Sequence, residues 1–402
     1  MTKPEGNGGA LEGLRVLDLT RILAGPLCTQ ILGDMGAEVI KVEPPGTGDD
    51  TRTWGPPFAG GESAYFMGVN RNKRSLTLNM AVKSGQEILA QLVKKSDVLV
   101  ENFKLGTLEK WGITDDWLEE NAPQVVRCSI TGYGSSGPDA ALPGYDFILQ
   151  AESGLMSICG EADRGPTKYG VAIVDVVTGL YACNSILAAL AARLRTGRGQ
   201  RVEVCLYDSG LAMLINVASN YLVTGKDARR FGNGHPNIVP YTTYPTADGM
   251  IAVAVGNDGQ FARFAETAGH GEWARDTRYA TNPARVTNRE ALDAAIAQAL
   301  KGGKSSTWIE KLRAAGVPCG PINSVGEALN DPHTLARDMV RSVRHPTAGE
   351  LKMVGIPFRL NGTPAAIRRA PPLLGQHTEE VLSGELGMSE TRIAQLRAEK
   401  VI

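Results

Sequence analysis

The chain has 402 residues, 43% of them hydrophobic, and its 42 basic side chains nearly balance 43 acidic ones. This length supports a large core and two domains, and the net charge of -1 offers no field to attract nucleic acid or an anionic membrane. Six cysteines without a C-x-x-C pair and five histidines without ligand spacing argue against disulfides and a metal site. The amino terminus shows neither signal nor transit pattern, and no apolar run approaches a membrane span, so we expect a cytoplasmic protein.

The first third of the chain alternates apolar strands with helices. This spacing favours right-handed crossovers and a doubly wound, mostly parallel sheet, in which ligands bind beyond the carboxyl ends of the strands. A loop rich in Gly, Pro and Trp over 46–62 is long enough to serve a binding site. Strands are predicted at 15–19, 37–43, 97–103 and 124–130, an extended segment at 75–80, and helices at 26–36 and 84–96.

The remaining chain divides at a change of composition. A strand at 201–206 and an apolar helix at 207–223 precede a Gly- and Pro-rich stretch, 224–249, that is typical of a linker. A second alternating region follows from residue 250. We therefore predict a large domain over 1–225, a smaller domain over 226–330, and a segment over 331–402 that packs back on the large domain.

One carboxylate, that of Asp175, stands at the start of a long predicted helix that Gly197 ends. The preceding apolar residues, 171–174, are predicted to form a short strand. An Asp at a helix start is ordinarily a cap. The helix end also favours the ionised form, and an ionised carboxylate held rigidly there is suited to act as a nucleophile.

A glycine motif at 132–137, GYGSSG, matches the phosphate-binding pattern of dinucleotide folds and must be weighed against that site. Pro138 and Pro143 interrupt the helix that should open after it, and no acidic residue follows at the distance a ribose would need. The motif alone is therefore weak evidence for nucleotide binding.

Several segments, in order along nearly the whole chain, resemble the family III CoA-transferases. Within that family, DDTRTWGPPF and GHPNIVPY are most similar to members that transfer CoA from succinyl-CoA to acids of glutarate size. The matching segments are LEGLRVLDLTRILAGP, LGDMGAEVIKVEPPG, NRNKRSLTLN, DVLVENF, GYDFILQAESGLM, TGRGQRVEV, GVPCGPIN and APPLLGQHT.

The resemblance implies an α/β fold in which the amino- and carboxyl-terminal parts form a large Rossmann-like domain around a smaller inserted α/β domain. It also implies an interlocked homodimer. Asp175 stands at the position of the family nucleophile, which forms first an acyl-aspartyl anhydride and then an aspartyl-CoA thioester. Coenzyme A is a co-substrate in this chemistry, and neither a metal nor a permanently bound cofactor is expected.

The resemblance also implies roles for individual side chains. The cations Lys73, Lys104 and Lys110 suit CoA phosphates. The other CoA-binding positions are Leu23, Ala24, Leu78, Asn79, Met80, Ala81, Asn102, Phe103, Tyr145 and Asp146.

The resemblance implies that loop residues form the acyl pocket. Aromatic side chains there would exclude water from the anhydride, and a cation would bind the distal carboxylate of a dicarboxylate. Pro44 stands where the oxalate enzymes have an arginine, and GNGHPN replaces their glycine-run loop, so oxalate is disfavoured as substrate. The candidates are Trp54, Tyr65 and Tyr145 as aromatics, and Arg52, Arg71 and, third, His235 as cations.

Two other functions remain open from the sequence. An α-methylacyl-CoA racemase shares the fold and a similar aspartate, but it transfers protons through a His/Asp pair, and no histidine precedes His235. A non-catalytic CoA-binding protein is the alternative of another class, against which an intact Asp175 argues.

Overall fold

The computed structural model describes residues 8–402, and this part of the chain forms two compact units. The first unit takes the chain up to Ser153 together with Gly170–Met213 and Pro332–Ile402, and the second takes Gly154–Tyr169 and Leu214–Asp331. This second unit differs from the predicted small domain at 226–330, because it begins earlier and includes an additional segment. The reason is local: the predicted helix over 207–223 is two helices that meet at the boundary, where Ile215 has a positive φ of 36°.

The first unit is built on a six-stranded parallel sheet with the order β5-β2-β1-β6-β7-β8. With the short β3–β4 hairpin set aside, this is the doubly wound order whose crevice lies between β1 and β6. The predicted parallel sheet is confirmed. The strands are β1 (Arg15–Asp18), β2 (Glu38–Glu43), β3 (Phe58–Ala59), β4 (Glu62–Ser63), β5 (Lys73–Thr77), β6 (Val98–Glu101), β7 (Val126–Thr131) and β8 (Arg201–Cys205).

Helices cover this sheet, as the crossovers between parallel strands require. Leu89 and Leu92 of the third helix pack with Leu17 and Ile40 in one apolar cluster. The helices before the division at Met213 are α1 (Ala24–Asp34), α2 (Ala64–Gly68), α3 (Lys83–Lys94), α4 (Thr107–Lys110), α5 (Asp115–Asn121), α6 (Asp146–Glu152), α7 (Leu155–Ile158), α8 (Ile173–Thr196) and α9 (Leu206–Ala212). Of these, α7 belongs to the second unit.

The second unit has its own core, formed between a three-stranded antiparallel sheet and the helices that cover it. Phe261, Phe264, Ile296 and Leu312 are fully buried there. Its remaining elements are α10 (Ile215–Thr224), β9 (Tyr241–Pro245), β10 (Met250–Ala254), α11 (Asp258–Thr267), α12 (Asn282–Thr287), α13 (Arg289–Leu300), α14 (Ser305–Ala314), β11 (Cys319–Pro321) and α15 (Val325–Asn330).

The carboxyl-terminal segment belongs to the first unit. Val381 and Leu396 join the apolar cluster beside the sheet, and the backbone N–H of Asn79 donates to the carbonyl oxygen of Val401 at 2.7 Å. The elements are α16 (Pro332–Ala336), β12 (Val340–His345), β13 (Gly349–Val354), α17 (Thr378–Leu386) and α18 (Glu390–Ala398).

Helix α8 dominates the first unit and corrects one expectation. Within residues 8–402 it is the one helix that is long and apolar enough, by length and composition, to cross a membrane, with a mean hydropathy of 1.7 over an 18-residue stretch. The prediction that no apolar run approaches that length is therefore wrong. Core helices meet the same criterion, and α8 buries Val174, Ala182 and Ile186 while it packs on α1 and on strands β7 and β8.

Candidate active site

Asp175 is the third residue of α8, in the first turn of the helix. The strand predicted before it does not form, because α8 already begins at Ile173, whose backbone N–H turns back to the carbonyl oxygen of Val171 at 2.8 Å. The carboxylate is thus presented by a tight turn and a helix start rather than by a strand end. Gly197, with φ of 71°, ends the helix as predicted.

The cap of α8 comes from another residue, Asp146. One of its oxygens, Oδ1, accepts from the backbone N–H groups of Val174 at 2.8 Å and of Asp175 at 3.3 Å. The other oxygen accepts from Gln150 Nε2 at 2.7 Å. Sequence reasoning assigned Asp146 to CoA, whereas its carboxylate is buried and satisfies the open end of this helix. The carboxylate of Asp175 is therefore not needed as a cap.

The electrostatic surroundings of Asp175 oppose its ionisation. Burial raises its pKa from the ordinary value of 3.8 to about 7, and the neighbouring carboxylate of Asp146 acts in the same direction. Burial and the like charge of Asp146 thus act against the ionised form that the helix start favours. Asp175 is partly buried, and no counter-charge within residues 8–402 acts on it. An acid in such surroundings is the kind of group found at reactive sites.

The start of a second helix lies on the same side of α8 as Asp175. A Cβ atom on Gly179 would lie 2.6 Å from the carbonyl oxygen of Ala24, so the first turn of α1 packs directly on Gly179. Because residues four apart share a helix face, Asp175 is directed to that end of α1. Leu23 provides no side-chain cap there, and a helix start of this kind favours an anion.

Aromatic side chains lie beside this carboxylate. Burial, and then the negative charges of Asp175 and Asp146, raise the pKa of Tyr65 to about 12. The phenol is therefore a neutral hydrogen-bond donor near both acids. Trp54 packs edge-on against Tyr65 with ring centroids 5.1 Å apart. The third predicted aromatic, Tyr145, directly precedes Asp146 and is exposed.

The two arginines predicted to bind a distal carboxylate are already paired inside the protein. Arg52 makes a two-bond contact with Glu43, at 2.7 and 2.8 Å, and a further one with Glu62 at 3.0 Å. Arg71 contacts Asp34 in the same way, at 2.9 and 2.7 Å. Both side chains are more than nine-tenths buried. Their internal pairing gives no support to a role in substrate binding, and that assignment stays a prediction.

Lys73, which the sequence predicts to meet CoA phosphates, is paired inside the protein as well, and its assignment to CoA stays a prediction. Its side chain is fully buried, and its ammonium donates to Asp18 at 3.0 Å and to Asn70 Oδ1 and Pro26 O at 2.9 Å each. Burial lowers its pKa to about 8 in spite of Asp18. Lys41 pairs with Asp49 at 2.9 Å in the same buried network, which fixes the loop after β2.

His235 lies in the second unit, where its ring already has partners. Its Nδ1 accepts from the backbone N–H of Asn237 at 3.1 Å, and its ring packs on Tyr241 with centroids 5.3 Å apart. Burial and then the neighbouring Arg289 lower its pKa below the ordinary value of 6.5. The lowered pKa favours the neutral imidazole, which gives no support to His235 as a cation for a distal carboxylate, and that assignment stays a prediction.

A cavity of about 370 Å³ lies at the carboxyl ends of β1, β2 and β6, the switch point of the sheet. Of the predicted CoA residues, Met80, Phe103 and Lys104 line it. Lys110 is exposed at the end of α4, whereas Leu78 is fully buried in the core and Ala24 is buried in α1. Asn79 and Ala81 follow β5, and Asn79 Oδ1 accepts from the backbone N–H of Ala81 at 3.1 Å.

Sequence reasoning missed several residues of this cavity, among them Arg21 and Asp50, which form an ion pair at 2.9 Å. The signal was available, because Arg21 follows the first strand closely and ligands bind beyond the carboxyl ends of such strands. Thr107 and Trp111, beyond β6, line the cavity too.

The glycine motif at 132–137 is already filled by a side chain. The backbone N–H of Ser135 donates to Glu203 at 3.0 Å, and the Ser135 hydroxyl contacts the same carboxylate. A phosphate at this loop would meet that negative charge, which agrees with the weakness of the motif. Within residues 8–402, the side chains of His, Cys, Asp and Glu form no group able to hold a metal ion.

The sequence matches CoA-transferase family III over residues 11–378. It is 42% identical to the human succinyl-CoA:glutarate CoA-transferase over 98% of this chain and 90% of that protein, and 44% identical to the succinate–glutarate CoA-transferase of Agrobacterium fabrum over 93% and 95%. The crystal structure of a CAIB/BAIF family protein from Brucella suis aligns with a TM-score of 0.82 at 44% identity, covering 94% of this chain and 99% of that one. The chain belongs to the family III CoA-transferases.

Proposed function

We propose that this enzyme transfers CoA from succinyl-CoA to a dicarboxylic acid such as glutarate, with Asp175 as the covalent nucleophile. The observation that carries the proposal is a partly buried carboxylate at the start of α8 that does not cap its own helix and has a pKa of about 7. The donor and acceptor follow the names of the human and Agrobacterium fabrum relatives.

The reaction needs only carboxylates and a thiolate. An oxygen of Asp175 attacks the thioester carbonyl, the carbon–sulfur bond breaks, and CoA leaves as the thiolate while an acyl-aspartyl anhydride forms. The thiolate then attacks the aspartyl carbonyl, which releases succinate and leaves an aspartyl-CoA thioester. The acceptor carboxylate attacks that thioester, and the returning thiolate takes the acceptor from the second anhydride and frees Asp175.

The surroundings of Asp175 suit the anions that form along this reaction. Burial and Asp146 make the carboxylate more basic than an ordinary one, and basicity increases nucleophilic strength. The neutral phenol of Tyr65 and the uncapped start of α1 are donors for the oxyanions that form. Trp54, packed on Tyr65, would reduce the access of water to the anhydride.

We assign CoA to the cavity at the carboxyl ends of β1, β2 and β6. Phe103 and Met80 offer apolar surface there, and Lys104 a cation. CoA acts as a co-substrate, and no permanently bound group is proposed. The internal contacts of Arg52, Arg71 and His235 give no support to any of them as the partner of the distal carboxylate, so the dicarboxylate part of the proposal depends on the relatives alone.

The test combines turnover with trapping of the intermediate. Enzyme is incubated with succinyl-CoA, and intact-mass analysis is expected to show a CoA adduct that hydroxylamine converts to the hydroxamate of Asp175. Asp175→Ala is expected to lose both the adduct and transfer to glutarate, whereas Asp116→Asn, an exposed aspartate of α5, should keep both. Substantial turnover by Asp175→Ala would refute the assignment, and a panel of mono- and dicarboxylates identifies the acceptor.

The racemase alternative needs a histidine for proton transfer. The described histidines of the first unit, His333, His345 and His377, all lie beyond the sheet in sequence. The Nδ1 of His345 accepts from the backbone of Ala348 at 3.1 Å, and that of His377 from Ser75 at 3.2 Å. Loss of deuterium from the α-carbon of a 2-methylacyl-CoA would support racemisation instead of transfer.

We further propose a cytoplasmic, interlocked homodimer. Leu222 and Val223 of α10 are 81% and 84% exposed and Leu194 is 88% exposed, which is apolar surface that a second copy would cover. Sedimentation over a wide dilution range is expected to show only the dimer. A monomer with native circular dichroism at high dilution would contradict the homodimer. Recovery of the protein in a membrane fraction would contradict the cytoplasmic location.

A further inference from the structure

We infer that Arg21 binds a phosphate of CoA and that Asp50 holds its guanidinium in place until CoA displaces the carboxylate. The inference deepens the proposed CoA site and rests on that assignment. It concerns the turn after β1, for which the sequence suggested no role beyond Leu23 and Ala24.

The backbone of this turn is strained and doubly fixed. Ile22, a β-branched residue, has φ of 72°, in the left-handed region that such side chains rarely adopt. The amide of Asn102, just beyond β6, accepts from the backbone N–H of Arg21 at 3.0 Å and donates to its carbonyl oxygen at 2.8 Å. Asp49 accepts from the backbone N–H of Ile22 at 3.2 Å. Two loops thus hold Arg21 at the switch point of the sheet.

The side chain of Arg21, by contrast, is only loosely held. Its guanidinium contacts Asp50 at 2.9 Å, and the two side chains are 50% and 53% exposed. An ion pair this exposed contributes little to stability and exchanges readily. A ligand phosphate can therefore replace the carboxylate at small cost.

The charges that line the cavity select Arg21 and Lys104. Among the described residues they are the two cations that line it, and Pro44, just after β2, supplies none. The lining acids Glu43 and Asp49 are neutralised by buried partners, Arg52 for Glu43 and Lys41 for Asp49. Asp50 alone among the lining acids has an exposed, exchangeable partner.

Guanidinium geometry adds to this charge balance. A guanidinium can meet a phosphate with two parallel hydrogen bonds, whereas an ammonium acts as a point charge. CoA carries a 3′-phosphate on its ribose and a diphosphate in its chain, and either offers the oxygens that Arg21 needs.

The experiment measures the dissociation constants of free CoA and of dephospho-CoA, which lacks the 3′-phosphate, by titration calorimetry. Arg21→Gln is expected to weaken CoA binding by about tenfold or more, the size of a charge-assisted contact. Asp50→Asn is expected to tighten it by about twofold to threefold, the size of an exposed ion pair. Arg198→Gln, which breaks an equally exposed pair with Glu119, should change neither constant.

The two ligands distinguish the phosphates. If Arg21 binds the 3′-phosphate, Arg21→Gln loses the preference for CoA over dephospho-CoA; if it binds the diphosphate, both ligands weaken equally. The double variant should bind as Arg21→Gln does, because Asp50 acts only through Arg21. An unchanged dissociation constant in Arg21→Gln, or equal weakening in Asp50→Asn, would overturn the inference.

Binding of free CoA does not require transfer, so the result is independent of the nucleophile. The same titrations in the Asp175→Ala background are expected to show the same dependence on Arg21. Failure of transfer with intact, Arg21-dependent binding would therefore sink the proposed mechanism and leave this inference standing.

Discussion

Two aspartates of the first unit, the buried Asp18 and the partly buried Asp175, have opposite electrostatic surroundings. Asp18 ends β1, and although burial acts to raise its pKa, Lys73 and then Lys41 lower it below the ordinary value. Asp175 is also removed from much of the solvent, but the charged group that affects it is the carboxylate of Asp146, and its pKa rises to about 7. Burial alone does not decide the state of an acid; the sign of the neighbouring charge does.

The comparison separates charges with buried partners from charges without them. Arg52, Arg71 and Lys73 have buried counter-ions and fix the loops around the site. Within residues 8–402, by contrast, Asp175 has no counter-ion and Arg21 has only an exposed one. Residue type could not distinguish these groups in the sequence. Four variants test the distinction, from the largest expected change to the smallest.

Asp18→Asn should destabilise the protein most. It leaves the ammonium of Lys73 buried beside a neutral amide, and breaking a buried pair costs about 3–5 kcal/mol. The loss should be full above about pH 4, the unfolded value for an aspartate, and should shrink as the pH falls through the lowered folded pKa. Urea unfolding at pH 7 measures it, with Asp116→Asn as control; a change under about 1 kcal/mol would contradict a structural role.

Arg52→Met should lower the free energy of unfolding by about 3 kcal/mol, because Glu43 is left buried without its guanidinium. The ratio of kcat/KM for a dicarboxylate to that for a monocarboxylate of similar length should stay unchanged, since Arg52 faces its internal partners. Arg21→Gln is the matched control, with almost no loss of stability. A selective loss of kcat/KM for the dicarboxylate would instead mean that Arg52 binds the substrate.

Asp175→Asn should make the protein more stable, in contrast to Asp18→Asn. A folded pKa of about 7, against 3.8 unfolded, means that the folded state holds the proton more tightly. Ionisation therefore costs stability as the pH rises from about 4 to 7, and the cost is constant above 7. We expect a gain of about 1–3 kcal/mol at pH 8 and none near pH 4, because residual solvent contact reduces the full linkage value. Urea unfolding at both pH values checks it, and a loss at pH 8 would contradict an unpaired carboxylate.

Asp146→Asn should give the smallest change, a displacement of the pH profile. With a pKa of about 7 for Asp175, kcat/KM for succinyl-CoA should be about tenfold lower at pH 6 than at pH 8. An asparagine still accepts from Val174 but carries no charge, so the acidic limb should move to lower pH. The midpoint of this limb should stay above the ordinary aspartate pKa of 3.8, because the burial of Asp175 is unchanged. A limb that stays in place would mean that Asp146 acts only as a cap.

The fold could be predicted where the pattern is local. The strands β1, β2, β6 and β7 and the helices α1 and α3 lie where apolar periodicity and flanking Gly or Pro placed them. The same pattern wrongly predicts a strand at 171–174, because a short apolar run does not distinguish a strand from a helix start. The division at Met213–Leu214 was missed for a similar reason, since the apolar run continues across it.

The sequence by itself determined the family, the parallel sheet and the choice of Asp175, because ordered motifs and apolar periodicity are properties of the linear chain. Only the tertiary structure decided which charges are available. Arg71 lies 37 residues from its partner Asp34, and Asp146 caps a helix whose first turn lies 28 residues later. Charge pairing and burial depend on distances in space between residues far apart in the chain, and a single sequence does not contain those distances.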